Sequence, residues 1–113
     1  LTILASGSEV NLAIETSHKL AKEKVYSKVI SMPCQDLFDS QSRTYKQKIL
    51  NETKMKISIE AASTDSWKKY VGNEGLTFGI DTFGKSAPYK EIYKYFGLTA
   101  ANIANKSKKL INR

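Results

Sequence analysis

Four short apolar runs along the chain are typical of buried β-strands. They span Thr2–Ser6, Val25–Met32, Met55–Ala62 and Leu76–Asp81. In the third run apolar residues alternate with Lys56, Ser58 and Glu60, and alternate side chains of a strand point to opposite faces. We therefore predict four strands, with one face of the third less buried than the other.

Helical spacing appears between and after these runs. Residues 9–24 have one apolar face, which predicts an amphipathic helix joining the first strand to the second as a βαβ unit. Residues 35–50 predict a short helical turn and a second helix, and residues 64–71 predict a short helix that ends at Gly72. Residues 89–96 have a further apolar helical face. The last helix is predicted to begin at a Thr99 N-cap and to bury Ala100, Ile103, Ala104, Ser107, Leu110 and Ile111.

This order of elements predicts a three-layer α/β/α fold. The sheet is expected to be mainly parallel, with four strands, helices on both faces and right-handed crossovers. No repeat, linker or block of charge interrupts the pattern, so residues 1–113 are predicted to form one domain. The chain opens on an apolar run at Leu1 with no preceding cap or turn, and we expect it to be a piece of a longer protein.

The net charge of +7 raises the question of nucleic acid or an anionic membrane as a partner. Among the 18 basic residues only Arg43 and Arg113 are arginine, the residue that usually makes bidentate phosphate and base contacts. The lysines are scattered, with no long run. We therefore expect a solvated basic surface and no nucleic-acid partner.

Membrane and disulfide chemistry are not expected. Every apolar run is far shorter than the roughly 20 residues that span a bilayer, and no segment resembles a signal peptide. The single cysteine, Cys34, excludes a disulfide within the chain and a cysteine-based zinc cluster. These features predict a cytoplasmic protein without a membrane partner.

Two loops at strand ends are candidate contact sites. The first comprises Ser6, Gly7, Ser8 and Glu9, between a strand and a helix, where phosphate-binding loops occur. It lacks a Gly-rich or Walker pattern, and Glu9 lies in the first helical turn, so a self-capped turn and a ligand-contact loop both stay open. The second contains Phe83, Gly84 and Ser86. Its apolar Phe83 is expected either to pack within the domain or to dock on a neighbouring one.

No catalytic constellation is evident. His18 is the only histidine and falls in the middle of a predicted helix, so a catalytic triad has no suitable base. Cys34 follows Pro33 at a strand end, but nothing nearby in the sequence lowers its pKa. The acidic residues show no metal-loop spacing. We expect no catalytic, cofactor-binding or metal-binding residue in this chain.

The order and spacing of several motifs resemble the C-terminal domain of transketolases. The resemblance runs from Leu1 to about Leu110. The motifs that carry it are Ala5-Ser6-Gly7-Ser8-Glu9-Val10, Ser31-Met32-Pro33-Cys34, Asp36-Leu37-Phe38-Asp39, Glu60-Ala61-Ala62, Trp67-Lys68-Lys69-Tyr70-Val71-Gly72, Phe83-Gly84-Lys85-Ser86-Ala87-Pro88 and Phe96-Gly97-Leu98-Thr99.

This resemblance implies a homodimeric parent enzyme that moves a two-carbon ketol unit from a ketose phosphate to an aldose phosphate. Such an enzyme uses thiamine diphosphate and a divalent metal, Mg or Ca, bound by domains upstream of this one. The resemblance also implies an antiparallel edge strand before Leu1. The C-terminal domain then has a structural and interdomain role, with the upstream domains of the same chain as its partners.

Other functions remain open at the level of sequence. Dihydroxyacetone synthases, deoxyxylulose phosphate synthases and 2-oxo acid dehydrogenase β subunits share this domain's fold. An effector-binding module is a second alternative, with its ligand in the crevice between Ser6–Glu9 and Phe83–Ser86. An autonomous nucleic-acid binder is the third, and it would show a steep dependence of affinity on salt.

Overall fold

Strands and helices alternate along the chain as the sequence predicts. The computed structural model describes residues 1–7, 9–50, 55–60, 65–72, 74–79 and 97–112. The strands are β1 (Thr2–Ala5), β2 (Lys28–Ser31), β3 (Lys56–Glu60) and β4 (Leu76–Gly79). The helices are α1 (Glu9–Ala21), α2 (Gln35–Asp39), α3 (Arg43–Leu50), a 3₁₀ helix (Asp65–Trp67), α4 (Lys68–Val71) and α5 (Ala100–Ile111). The predicted helix at 89–96 lies outside the described residues.

The four strands form one parallel sheet in the order β2-β1-β3-β4. Thr2 of β1 is in register with Lys28 of β2 and with Lys56 of β3, and Ile57 of β3 is in register with Leu76 of β4. The predicted parallel α/β sheet of four strands is therefore confirmed.

Helices α1 and α5 cover one face of the sheet. Ile3, Ile57 and Ile59 are fully buried there against Ala13 of α1 and Ile103 of α5. A salt bridge of 2.8 Å between Lys108 Nζ and Glu23 joins the two helical segments at the surface. The Thr99 hydroxyl accepts a hydrogen bond from the Asn102 N–H at 3.2 Å, so the predicted N-cap of α5 is confirmed.

The opposite face is covered by α4 and its preceding 3₁₀ helix. Leu4 points to this face because its neighbours Ile3 and Ala5 point to the other. Trp67, Tyr70 and Val71 pack around it and are almost fully buried. The result is a three-layer arrangement, and it places α2, α3 and α4 together beside the sheet.

The prediction that one face of β3 is less buried than the other holds at the two ends of the strand and fails at its centre. Ser58 has only 1% of its surface exposed. It lies in register between Leu4 of β1 and Thr77 of β4, because β3 is an internal strand, and alternate residues of β1 and β3 share a face. Ser58 is therefore a small polar residue buried beneath the 3₁₀ helix and α4. Lys56 and Glu60, on the same face of β3, are half-exposed at the two ends of the strand.

The connection from α1 to β2 also differs from the prediction. The helix ends at Ala21, three residues early, and β2 begins at Lys28. Lys24 has a φ of 62°, its N–H donates to the Ala21 carbonyl, and the N–H of Val25 donates to the carbonyl of Leu20. These are the two bonds of a Schellman motif, so the turn ends this helix at Ala21, the last position of its apolar pattern, and not at residue 24.

Candidate functional site

The carboxyl ends of β1 and β3 bring two polar side chains together. Ala5 is in register with Ile59, so the residues that follow, Ser6 and Glu60, lie side by side. The Ser6 hydroxyl donates a hydrogen bond to the Glu60 carboxylate. The sequence analysis did not pair these residues, because they are far apart in the chain and become neighbours only through the strand order.

The first candidate loop closes on itself over its described residues. The N–H of Glu9 donates to the Ser6 carbonyl at 3.2 Å, and the N–H of Val10 donates to the Gly7 carbonyl at 3.3 Å. Gly7 is exposed with a φ of 57°, a left-handed conformation that favours glycine. Glu9 is 3% exposed and has an interaction partner. These features favour the self-capped turn, and the ligand-contact role of Ser6, Gly7 and Glu9 stays a prediction.

Ser8, Phe83, Gly84 and Ser86 lie outside the described residues. Their predicted contact roles therefore stay predictions.

A second polar cluster, which the sequence analysis missed, joins α2 to α4. The Asp39 carboxylate accepts hydrogen bonds from Lys69 Nζ at 2.7 Å and from the Tyr70 hydroxyl at 2.8 Å. Lys46 Nζ donates to the backbone carbonyl of Asp39 at 3.2 Å. The Lys69 ammonium also lies 5.0 Å from the centre of the Tyr70 ring. The only signal in the sequence was the clustering of charged and aromatic residues in two separate motifs.

The charges of this cluster are fixed at neutral pH. The hydrogen bond from Lys69, and then that from Tyr70, hold the pKa of Asp39 below its ordinary value. The hydrogen bond to Asp39 raises the pKa of Lys69, and burial followed by the bond to Asp39 raises the pKa of Tyr70. All three shifts move titration away from neutrality, so these groups are unsuited to act as a general acid or base there.

The remaining reactive side chains have surface positions. Cys34 is exposed, and its sulfur accepts a hydrogen bond from the Leu37 N–H at 3.4 Å as the N-cap of α2. His18 is exposed near the end of α1. Among the described residues, no three metal-ligating side chains converge, so they do not fit a divalent metal site. The same part of the chain has no helix with the length and apolar character needed to cross a bilayer.

Comparison with known proteins identifies the family of the chain. The family model described as the transketolase-like TK C-terminal domain matches residues 1–99. The transketolase of Bacillus subtilis is 46% identical over 112 residues, and transketolase 2 of Aliivibrio fischeri is 45% identical over the same length. Each match covers 98% of this chain and 17% of the relative, so the chain spans about a sixth of their length.

Solved structures agree with this assignment. Transketolase from Leishmania mexicana superposes with a TM-score of 0.87 and 39% identity, covering 99% of this chain and 16% of that structure. Transketolase from Campylobacter jejuni superposes with a TM-score of 0.84 and 33% identity, covering 96% and 16%. The chain therefore belongs to the transketolase family, in which it matches the C-terminal domain.

Proposed function

We propose that this chain is the non-catalytic C-terminal domain of a transketolase that transfers a two-carbon ketol unit between ketose and aldose phosphates. The observation that carries the proposal is the match of residues 1–99 to the family's C-terminal domain. Relatives over this length are called transketolase, and the chain covers only 17% of them. The proposal treats residues 1–113 as one domain of a cytoplasmic protein.

In this proposal the chemistry belongs to thiamine diphosphate and a divalent metal, Mg or Ca, bound by other domains. The cofactor supplies carbanion stabilisation when bound. Two polar clusters of the described residues have structural partners instead. Ser6 is hydrogen-bonded to Glu60, and Asp39 to Lys69 and Tyr70. These pairings favour a role in holding architecture around the active centre.

The loop at the end of β1 is the proposed contact with the upstream domains of the same chain. Gly7 is exposed and Ser6 is half-buried at the carboxyl edge of the sheet. The proposal adds Ser8, Phe83, Gly84 and Ser86 to this interdomain surface and leaves out Glu9, which is buried. Homodimerisation of the parent is part of the same proposal.

The effector-binding alternative at this loop has less support. Its ligand would need polar groups that face the crevice, but the Ser6 hydroxyl donates to Glu60 and Glu9 is buried. An interdomain contact requires only that part of the loop be exposed at the surface of this domain, and Gly7 is exposed.

An assay of the isolated 113-residue chain tests the proposal. With thiamine diphosphate, Mg²⁺, a ketose phosphate and an aldose phosphate, we expect no ketol transfer above the rate without protein. The Bacillus subtilis transketolase serves as the positive control in the same assay. Transfer that requires the cofactor and tracks with the purified chain would contradict the assignment of catalysis to other domains.

A further inference from the structure

A groove between α2, α3 and α4 combines an apolar floor with a basic rim. Phe38, Leu50 and Tyr70 line the floor, and Arg43, Lys46 and Lys69 lie around it. The groove encloses about 240 Å³. This volume is smaller than the pockets that hold drug-sized ligands and suits a ligand of a few heavy atoms.

Asp39 holds two of the three cations in place. Its carboxylate accepts from Lys69, and its backbone carbonyl accepts from Lys46. Free lysine side chains lose considerable rotamer entropy when they close on a ligand. Anchoring both ammonium groups in advance reduces that loss, which is how preorganisation raises affinity.

Donors remain for a ligand. Each ammonium has three N–H donors, and the contact of Lys46 with Asp39 uses one of them. Within the described part of the chain, no hydrogen bond or ion pair engages the Arg43 guanidinium, which offers five N–H donors. The Asp39 carboxylate does not face the ligand unpaired, because Lys69 and Tyr70 each occupy one of its oxygens.

The balance of charge indicates the class of ligand. Three cations and one carboxylate leave an excess of two positive charges around the groove. A phosphate monoester carries about −1.5 to −2 at neutral pH and has three strong acceptor oxygens. We propose that this groove binds a small phosphate monoester, with its oxygens on Arg43, Lys46 and Lys69 and its organic part against Phe38 and Leu50.

Lysine footprinting of the protein at its native length tests this proposal. The protein is acetylated with and without glycerol phosphate at constant ionic strength, and mass spectrometry gives the rate at each lysine. At a few times the dissociation constant we expect about fivefold slower acetylation at Lys46 and Lys69, since occupancy scales with ligand concentration over Kd. Lys48, exposed on the same helix and outside the groove lining, is the control and should not change.

Arg43→Gln provides the second arm, and Lys48→Gln is its matched control. R43Q should weaken the protection of Lys46 and Lys69 about threefold, as expected for one partly solvated charge, while K48Q should leave it unchanged. Equal protection of Lys48, or protection that R43Q does not alter, would overturn the proposal. Acetylation of Lys46 and Lys69 that glycerol phosphate does not slow at any concentration would also overturn it.

Discussion

Lys24 adopts the left-handed backbone conformation at the end of α1, where glycine is the usual residue. Its φ of 62° completes the turn in which the N–H of Val25 donates a hydrogen bond to the carbonyl of Leu20. A side chain with a Cβ is strained in this region, whereas glycine is not. The turn is therefore a local stability defect that a single substitution can relieve.

We predict that Lys24→Gly raises the free energy of unfolding by up to about 1 kcal/mol, because strain relief exceeds the entropy that glycine adds to the unfolded chain. Urea denaturation measures the change. Lys22→Gly is the control, since Lys22 lies in the same turn without a positive φ, and it should lower stability. A lower stability for K24G than for the parent chain would contradict this account.

Asp39 has contacts that make stability depend on pH. Its pKa lies below the ordinary value of 3.8, so its contribution is present above that pH and is lost as pH falls through the folded-state pKa. We predict that Asp39→Asn lowers stability at neutral pH and flattens the loss of stability below pH 3.8. Thermal unfolding across the acid range gives both quantities.

Asp36→Asn is the matched control for this prediction, because Asp36 is exposed on the same helix and its side chain makes no described ion pair. It should leave the acid limb close to that of the parent chain. An unchanged acid limb in D39N would show that the Lys69 and Tyr70 contacts do not hold the carboxylate in solution.

Thr99 and Asp39 show which contacts of a single residue could be predicted from the sequence and which could not. The Thr99 cap was predictable because its partner, Asn102, is three residues away. The Asp39 contacts with Lys69 and Tyr70 join residues 30 and 31 positions apart, and only the packing of α4 beside α2 creates them.

At the scale of elements, the 3₁₀ helix and α4 are short but central to packing. Trp67 is 2% exposed and Tyr70 is 4% exposed, and their rings meet edge to face at 5.8 Å. Segments this short are not stable helices alone, so tertiary contacts hold them. Their aromatic residues form the second core, beside Leu4 and Met32.

We predict that Trp67→Ala lowers the free energy of unfolding by about 3–5 kcal/mol, the usual range for a buried aromatic residue. Trp67→Phe should lose less, because the ring retains part of the packing. Tyr26→Ala is the control, since Tyr26 is 74% exposed, and it should change stability by less than about 0.5 kcal/mol. Comparable losses for W67A and Y26A would contradict the placement of Trp67 in the core.

The spacing of apolar residues predicted which segments are strands and which are helices. It did not predict where each element ends or which of its polar residues are buried. The four strands agree with the apolar pattern, and so does the last helix except at Ile111, which was predicted to be buried and is 36% exposed at the end of the helix. Ser58 shows the limit. A polar residue in an alternating strand predicts exposure, yet the order β2-β1-β3-β4 makes β3 internal, and a second helical layer covers its polar face.

At the scale of the whole molecule, the family of the chain and the pairing of two polar clusters within the domain support the same account. The match to the transketolase-like C-terminal domain covers residues 1–99. Ser6 bonds to Glu60 across neighbouring strands, and Asp39 bonds to Lys69 and Tyr70 between α2 and α4, so both clusters join elements of the domain. The central claim of the proposed function is that this chain supplies architecture to a transketolase and no bond-making group.

A domain exchange tests that claim most directly. The matching segment of the Bacillus subtilis transketolase, 46% identical, is replaced by these residues, and kcat for ketol transfer is measured with saturating thiamine diphosphate and Mg²⁺. We predict a kcat within about tenfold of the parent enzyme, since no interaction specific to the transition state is removed. A chimera that folds, dimerises and binds cofactor but loses about 100-fold or more in kcat, the loss typical of a missing catalytic group, would contradict the account.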